Sequence, residues 1–282
     1  MLTRIKSVYK YLSPKYQNLF LEYKVDPKPR HGRSAHSLLY EIINSNREIY
    51  AFYLKIFLEQ KEKIQTIKTC DNESSETEPC WNNGFLPGLD IVALYSFIGI
   101  FKPKQYIEIG SGNSTKVVRR SIKENKLNTV ITSIDPMPRA SIDNISDHII
   151  REPIEKLDDL SIFGKLEKND ILFIDNSHRC FPNSDVTVCF LEILPKLKPG
   201  VVVHFHDIYL PYDYPQFMTD RFYSEQYLLA CYLLASKDKF NIIMPNYFVS
   251  EDSELSETIA PMWGGDLQCV EKHGGSFWFV VN

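Results

Sequence analysis

The chain lacks an apolar run long enough to cross a bilayer. The longest, IVALYSFIGIF over 91–101, is roughly half of a bilayer span and stops at Lys102. No membrane helix and no membrane partner are expected. An excess of positive charge is also missing: 32 Lys plus Arg stand against 36 Asp plus Glu, for a formal net charge of -4. A nucleic-acid binder whose affinity rests on neutralising phosphates is therefore not expected. Cysteine is sparse. Six residues without CxxC spacing give neither a disulfide framework nor a zinc knuckle. Cys70 and Cys80 flank a loop they could bridge, but reduced thiols are the expectation, and with them a cytoplasmic location. The opening MLTRIKSVYKYLSPKYQ has no continuous apolar stretch and no small-residue cleavage site, so it reads as mature chain.

What is present is 44% hydrophobic residues over 282 positions, enough for a sizeable core in one or two domains. In the first ~70 residues, LLYEIINSNREIYAFYLKIFLEQKEKI repeats its apolar positions at three and four. Residues 1–69 are accordingly expected to be a helical N-terminal segment, serving as a lid or an oligomerisation element. TCDNESSETEPC then interrupts the pattern, and 70–80 is read as an acidic linker. Over 81–282 strand-like runs such as KQYIEIG, NTVITSID, NDILFID and GVVVHFHDI alternate with helical ones such as LDIVALYSFIGIF, STKVVRRSIKEN and SDVTVCFLEILPKL. That alternation predicts an α/β fold, a Rossmann-like doubly wound and mostly parallel sheet. FNIIMPNYFVS and GSFWFVVN have no clear helix between them and are expected to pair antiparallel at one edge.

In open α/β sheets ligands bind beyond the carboxyl ends of the strands. After QYIEI comes Gly110-Ser111-Gly112-Asn113-Ser114-Thr115, where glycines permit a tight turn and Ser114 or Thr115 can cap the next helix. Alone, such a GxG is an ordinary strand-to-helix turn. Two acids accompany it: Glu108 precedes the first glycine by two positions, and Asp135 ends the next strand, placed for ribose hydroxyls. A dinucleotide would lay pyrophosphate against Glu108, which suits a cationic ligand better. S-adenosylmethionine, with its ammonium and sulfonium, is favoured over NAD.

On YIEIGSGNST (106–115), SIDPMPRASID (133–143), DILFIDNSH (170–178) and LPKLKPGVVVHFHDIYLPYDYP (194–215), the sequence resembles the class I S-adenosylmethionine-dependent methyltransferases, in particular methyltransferase family 24. The likeness extends from Trp81 to the C-terminus and more loosely through PRHGRSAHSLLYEI. It implies that Glu108, Gly110, Gly112 and Asp135, with Ser114 and Thr115, hold the cofactor.

Asp175 and Asp207 each follow a strand, and paired acids at such a rim recruit hard cations. The resemblance to catechol-type O-methyltransferases at these strand ends implies a divalent ion that lowers the pKa of an acceptor hydroxyl. Here the expected ligands are Asp175, His206 and Asp207, with Mg, Mn, Fe or Zn as the ion. His178, three residues after Asp175, is expected to be the general base as a neutral imidazole. His204 and His206 share one face of their strand, and His204 reads as a core histidine. LPYDYPQF reads as an acceptor wall or simple packing, and PRHGRSAH as an anion-binding closure through Arg30 or Arg33 or a surface loop. Arg139 is expected to meet substrate or to pair with Asp143. The expected activity is O-methylation of a small-molecule or sugar hydroxyl with metal assistance. A metal-free O- or N-methyltransferase with a histidine base is the alternative, and a non-catalytic nucleoside binder the third reading. The sequence is compatible with a homo-oligomer.

Overall fold

The computed structural model describes residues 8–14, 17–236 and 238–282. Residues 1–7, 15 and 16 of the opening stretch, on which the mature-chain and helical readings partly fall, lie outside the described residues. Three helices, α1 (Ser37–Asn44), α2 (Arg47–Glu59) and α3 (Lys61–Ile64), lead into two short strands, β1 (Lys68–Thr69) and β2 (Cys80–Trp81). Alternation then begins with α4 (Gly88–Phe101), β3 (Gln105–Ile109), α5 (Asn113–Glu124), β4 (Val130–Ile134), β5 (His148–Ile150) and β6 (Ile171–Ile174). It continues through α6 (Asp185–Val188), β7 (Val202–Phe205), α7 (Gln216–Thr219), α8 (Glu225–Ala235), β8 (Phe240–Pro245), α9 (Asn246–Glu251), α10 (Ser253–Ile259) and β9 (Phe277–Val281).

The main sheet has seven strands in the order β5-β4-β3-β6-β7-β9-β8. The pairings from β5 to β7 are all parallel, and β9 runs antiparallel between β7 and β8. The four-residue ILFI and VVHF strands at its centre are wholly buried, as strands covered on both faces must be. The strand order reverses between the adjacent strands β3 and β6, which opens a crevice at their carboxyl ends.

Helix α4 is apolar on every side and buried from Gly88 to Ile98, the signature of a helix enclosed by its neighbours. It ends where Lys102 takes a left-handed conformation and Pro103 follows. Phe97 on α4 meets Phe57 of α2 edge-on at 5.2 Å and Trp278 of β9 at 5.0 Å. Each such ring, fully buried, contributes about 1.5–3 kcal/mol over exposure. Leu39, Ile43, Tyr50 and Leu54 of α1 and α2 enter the same core, so these helices are packed into the sheet domain.

Three expectations change. The strand expected through FNIIMPNYFVS stops at Pro245, and α9 starts at once, because proline offers no ladder donor. The spacer before β9 accordingly holds α9 and α10. The helix expected over SDVTVCFLEILPKL is α only to Val188 and then passes through a π turn, Cys189–Ile193. Cys70 and Cys80, expected as reduced thiols, form a disulfide, so the acidic 70–80 stretch is a closed loop. Parallel pairing of Lys68 with Cys80 and Thr69 with Trp81 brings the cysteine Cα atoms to 4.9 Å. Two-residue strands carry no readable period, which is why the sequence did not show it. The support that reduced thiols lent to a cytoplasmic location goes with them. Among the described residues, no helix is long and apolar enough to cross a membrane.

Candidate active site

The loop between β3 and α5 is built on Gly110, which has φ of 84°. A Cβ there would come within 1.9 Å of the Asp175 carbonyl oxygen, so the position admits only glycine and clamps the β3 end against the β6 end. The Thr115 hydroxyl accepts from the Gly112 amide at 3.2 Å and donates to Glu108 at 2.5 Å. Glu108 also accepts from Ser133 at 2.6 Å and from Ser114 at 3.2 Å. It is fully buried, and Thr115 with it. Neither is among the residues that line the cleft above the loop. Their work here is to hold the loop's shape. Burial raises the Glu108 carboxyl to about 7 against the pull of the hydroxyls of Ser133, Thr115 and Ser114.

Above the loop opens a cleft of about 310 Å³. Gly110, Gly112, Ser114 and Asp135, four of the expected cofactor residues, line it together with Asp175. Asp135 accepts from the Ser111 amide at 2.8 Å and the Met137 amide at 2.7 Å, which fixes its carboxylate at the β4 end with lone pairs to spare. Ile134, Pro153 and Ile154 add an apolar wall suited to a planar base, and Phe85 and Leu86 close the far side. A nucleoside fits this combination: an apolar slot, a fixed carboxylate for vicinal hydroxyls and open backbone at the glycines.

Deeper in, four carboxylates and two histidines interlock. His178 Nε2 lies 3.3 Å from Asp175 and 3.4 Å from Asp207, while its Nδ1 meets Glu225 at 2.9 Å. His206 Nδ1 is 3.6 Å from both Asp175 and Asp207, and its Nε2 is 3.2 Å from Asp90. His178 and Asp207 hold left-handed backbone at φ of 61° and 53°, a conformation that non-glycine residues adopt at some cost and that turns these side chains toward each other. Burial alone would depress the His178 imidazole, but its hydrogen bonds to Asp175 and Glu225 and the charge of Asp207 outweigh that and raise it to about 10. The expected neutral imidazole is thus an imidazolium at neutral pH. Burial works against the Asp175 carboxylate too, yet His206 and His178 hold it well below the usual range.

The expected metal ligands Asp175, His206 and Asp207 do converge. His178 Nε2 sits between the two carboxylates, His206 Nδ1 faces both of them, and His206 Nε2 is held by Asp90. Among the described residues, no group of three or more His, Cys, Asp and Glu side chains is arranged to hold a metal.

Glu225 and Asp90 escaped the sequence reading. Glu225, wholly buried, opens α8 at the head of an apolar run, and Asp90, equally buried, sits in the first turn of α4. A charge inside an otherwise apolar helix was the available signal. Asp90 accepts from the amides of Gly275 and Ser276 and from Asn246 at 2.7 Å, so it ties α4 to the β9 approach. His204 is the core histidine expected, stacked on Phe173 at 3.8 Å and bonded to Ser276 at 2.8 Å. Arg139 lies over the Phe85 ring at 5.1 Å, while Asp143 pairs with Arg151 instead. In PRHGRSAH, the Arg30 amide donates to Asp213 at 2.8 Å and His36 to the Pro211 carbonyl at 3.0 Å, so this segment docks on the LPYDYPQF loop.

Residues 107–208 match the family model described as a methyltransferase domain, that of methyltransferase family 24. A protein of uncharacterised function from Archaeoglobus fulgidus is 33% identical over 98 residues, 32% of this chain and 43% of its own length. The chain thus spans less than half of that relative. Among solved structures, a Podospora anserina methyltransferase bound to SAH is 15% identical over 80% of this chain and 88% of its own, with a TM-score of 0.43. An O-methyltransferase from Bacillus cereus in complex with SAH is 15% identical over 88% of this chain and 92% of its own, with a TM-score of 0.41. The family match runs from β3 to just past β7, across the loops that build the cleft and its acidic rim, so this part of the chain is similar to a methyltransferase domain.

Proposed function

We propose that the protein transfers a methyl group from S-adenosylmethionine to a hydroxyl of a small-molecule acceptor, a sugar or secondary metabolite, without a divalent ion. One observation supports this reading above the others: Asp175 both lines the cofactor cleft and contacts the two buried histidines. Gly110, Gly112, Ser114 and Asp135 would hold the nucleoside, and the bound cofactor supplies an electrophilic methyl on a positively charged sulfur. The acceptor oxygen gains the carbon–oxygen bond as the sulfur–carbon bond breaks. Asp175, held ionised by its histidines, would accept a hydrogen bond from the acceptor hydroxyl and aim it, and the hydroxyl proton leaves to solvent as the carbon–oxygen bond forms. His178, already protonated, acts behind Asp175 as a fixed positive charge that holds the carboxylate ionised and aimed at the cleft. Glu225 and Asp207 keep that imidazolium in place.

Asp175→Asn is isosteric and removes the charged hydrogen-bond acceptor. It should slow transfer by roughly 10- to 100-fold, as loss of a charged hydrogen bond does, while calorimetry with S-adenosylhomocysteine shows little change in affinity. Turnover at the wild-type rate would remove Asp175 from the chemistry. Loss of activity in EDTA, restored by Mn²⁺, would return the reading to a metal-assisted transfer.

A further inference from the structure

We infer that Arg139 binds the carboxylate at the amino-acid end of the cofactor, the one anionic group of S-adenosylmethionine. The inference rests on the methyltransferase reading and assigns to the same site a residue that reads its ligand's charge.

The charges on the cleft wall are lopsided. Asp135, Glu155, Asp175 and Asp185 line it, and among the described lining residues Arg139 is the only cation. S-adenosylmethionine is charged in three places: a sulfonium and an ammonium, which the acids attract, and a carboxylate, which they repel. With the base on the wall of Ile134, Pro153 and Ile154 and the ribose hydroxyls on Asp135, the amino-acid end falls to the stretch between the glycine loop and Phe85. Arg139 stands at that stretch. A Cβ on Gly112 would lie 3.9 Å from the Arg139 Cβ, and the guanidinium carbon is 5.1 Å from the centre of the Phe85 ring.

Backbone amides are the usual competitors for an anion at such a loop, and the first three of this one are already spent. Gly110 donates to the Ile134 carbonyl at 3.0 Å, Ser111 to Asp135 at 2.8 Å and Gly112 to the Thr115 hydroxyl at 3.2 Å. Arg139 is not spent. Among the described residues it has no carboxylate within ion-pair distance, and Asp143, four positions on, pairs with Arg151 instead. Contact with the Phe85 ring uses none of the N–H donors, whose fork matches the two oxygens of a carboxylate.

Calorimetry with two ligands tests the assignment: S-adenosylhomocysteine, which carries the carboxylate, and methylthioadenosine, which keeps the nucleoside and the sulfur but lacks the amino-acid end. Arg139→Gln should weaken S-adenosylhomocysteine by about 10- to 100-fold, as loss of a charged hydrogen bond does, and leave methylthioadenosine unchanged. Arg139→Lys, which keeps the charge without the fork, should recover part of the loss. Equal losses for both ligands in Arg139→Gln would make the arginine a prop of the cleft wall, and an unchanged affinity for S-adenosylhomocysteine would remove it from the cofactor; either result overturns the assignment. Failure of the wild type to bind either ligand would instead count against the methyltransferase reading itself.

Discussion

A carboxyl shut beneath a loop resists ionisation, and Glu108 makes that resistance measurable. Its value of about 7 in the fold stands above the ordinary 4.5, so between those pH values the folded chain keeps a proton that the unfolded chain has lost. Stability therefore falls as pH rises through that window, by about 3 kcal/mol at most from this group, and is level above it. Glu108→Gln carries no titrating proton and should flatten the dependence. Urea unfolding at pH 5 and pH 8 checks it, and an identical pH difference in variant and wild type would show that Glu108 does not titrate in this range. At this scale the sequence was legible where side chains follow strands. Gly110, Gly112, Ser114, Asp135 and Asp175 all reach the cleft because strand ends point there. It was illegible for direction at Glu108, since alternation along β3 does not say which face the loop folds over. It was illegible for Glu225 and Asp90 as well. They lie 47 and 116 positions from the histidines they bond, and only the packing of α8 and α4 joins them.

At the scale of elements, the two smallest strands have the longest reach. The disulfide beside β1 and β2 leads directly into a turn organised by Asn83, whose side chain donates to the Cys80 and Leu86 carbonyls and accepts from the Phe85 and Leu86 amides. Phe85 and Leu86 are walls of the cofactor cleft. The loop is fastened on its other side through Glu78 to Arg120 of α5, the helix that starts at the glycine loop. Opening the Cys70–Cys80 bond frees a short loop in the unfolded chain, which by loop length alone costs the fold about 2 to 3 kcal/mol. Reductant should accordingly lower the melting temperature and loosen S-adenosylhomocysteine binding, and Cys80→Ser should start from that lower state and ignore reductant. Melting curves that coincide with and without reductant would mean that the bridge supports nothing. The sequence displayed α4 and β3 through β7 because long apolar periods announce themselves. It concealed this pair, as it concealed α9 behind Pro245, because two residues have no period and a proline boundary resembles a strand end.

At the scale of the whole molecule, residues 27–36, just ahead of α1, lie along the loop after β7, and Pro27, Lys28 and Pro29 line a surface cavity there. Asp213 is the latch. Its carboxylate takes the Arg30 amide at 2.8 Å, its carbonyl meets His31 Nδ1 at 2.9 Å, and the His31 ring lies edge-on to Tyr209 at 6.0 Å. Little apolar area secures this stretch, since most of it is exposed, so its hold depends on a few polar contacts to one side chain and one loop. Asp213→Ala removes the carboxylate while leaving the Asp213 backbone carbonyl, and should release the strap without touching the cofactor cleft. Trypsin should then cut after Arg30 and Arg33 faster than in wild type, while affinity for S-adenosylhomocysteine stays the same. Equal cleavage rates in variant and wild type would place the hold in the aromatic contacts of His31 instead, and a fall in cofactor affinity would show that the strap and the cleft move as one unit.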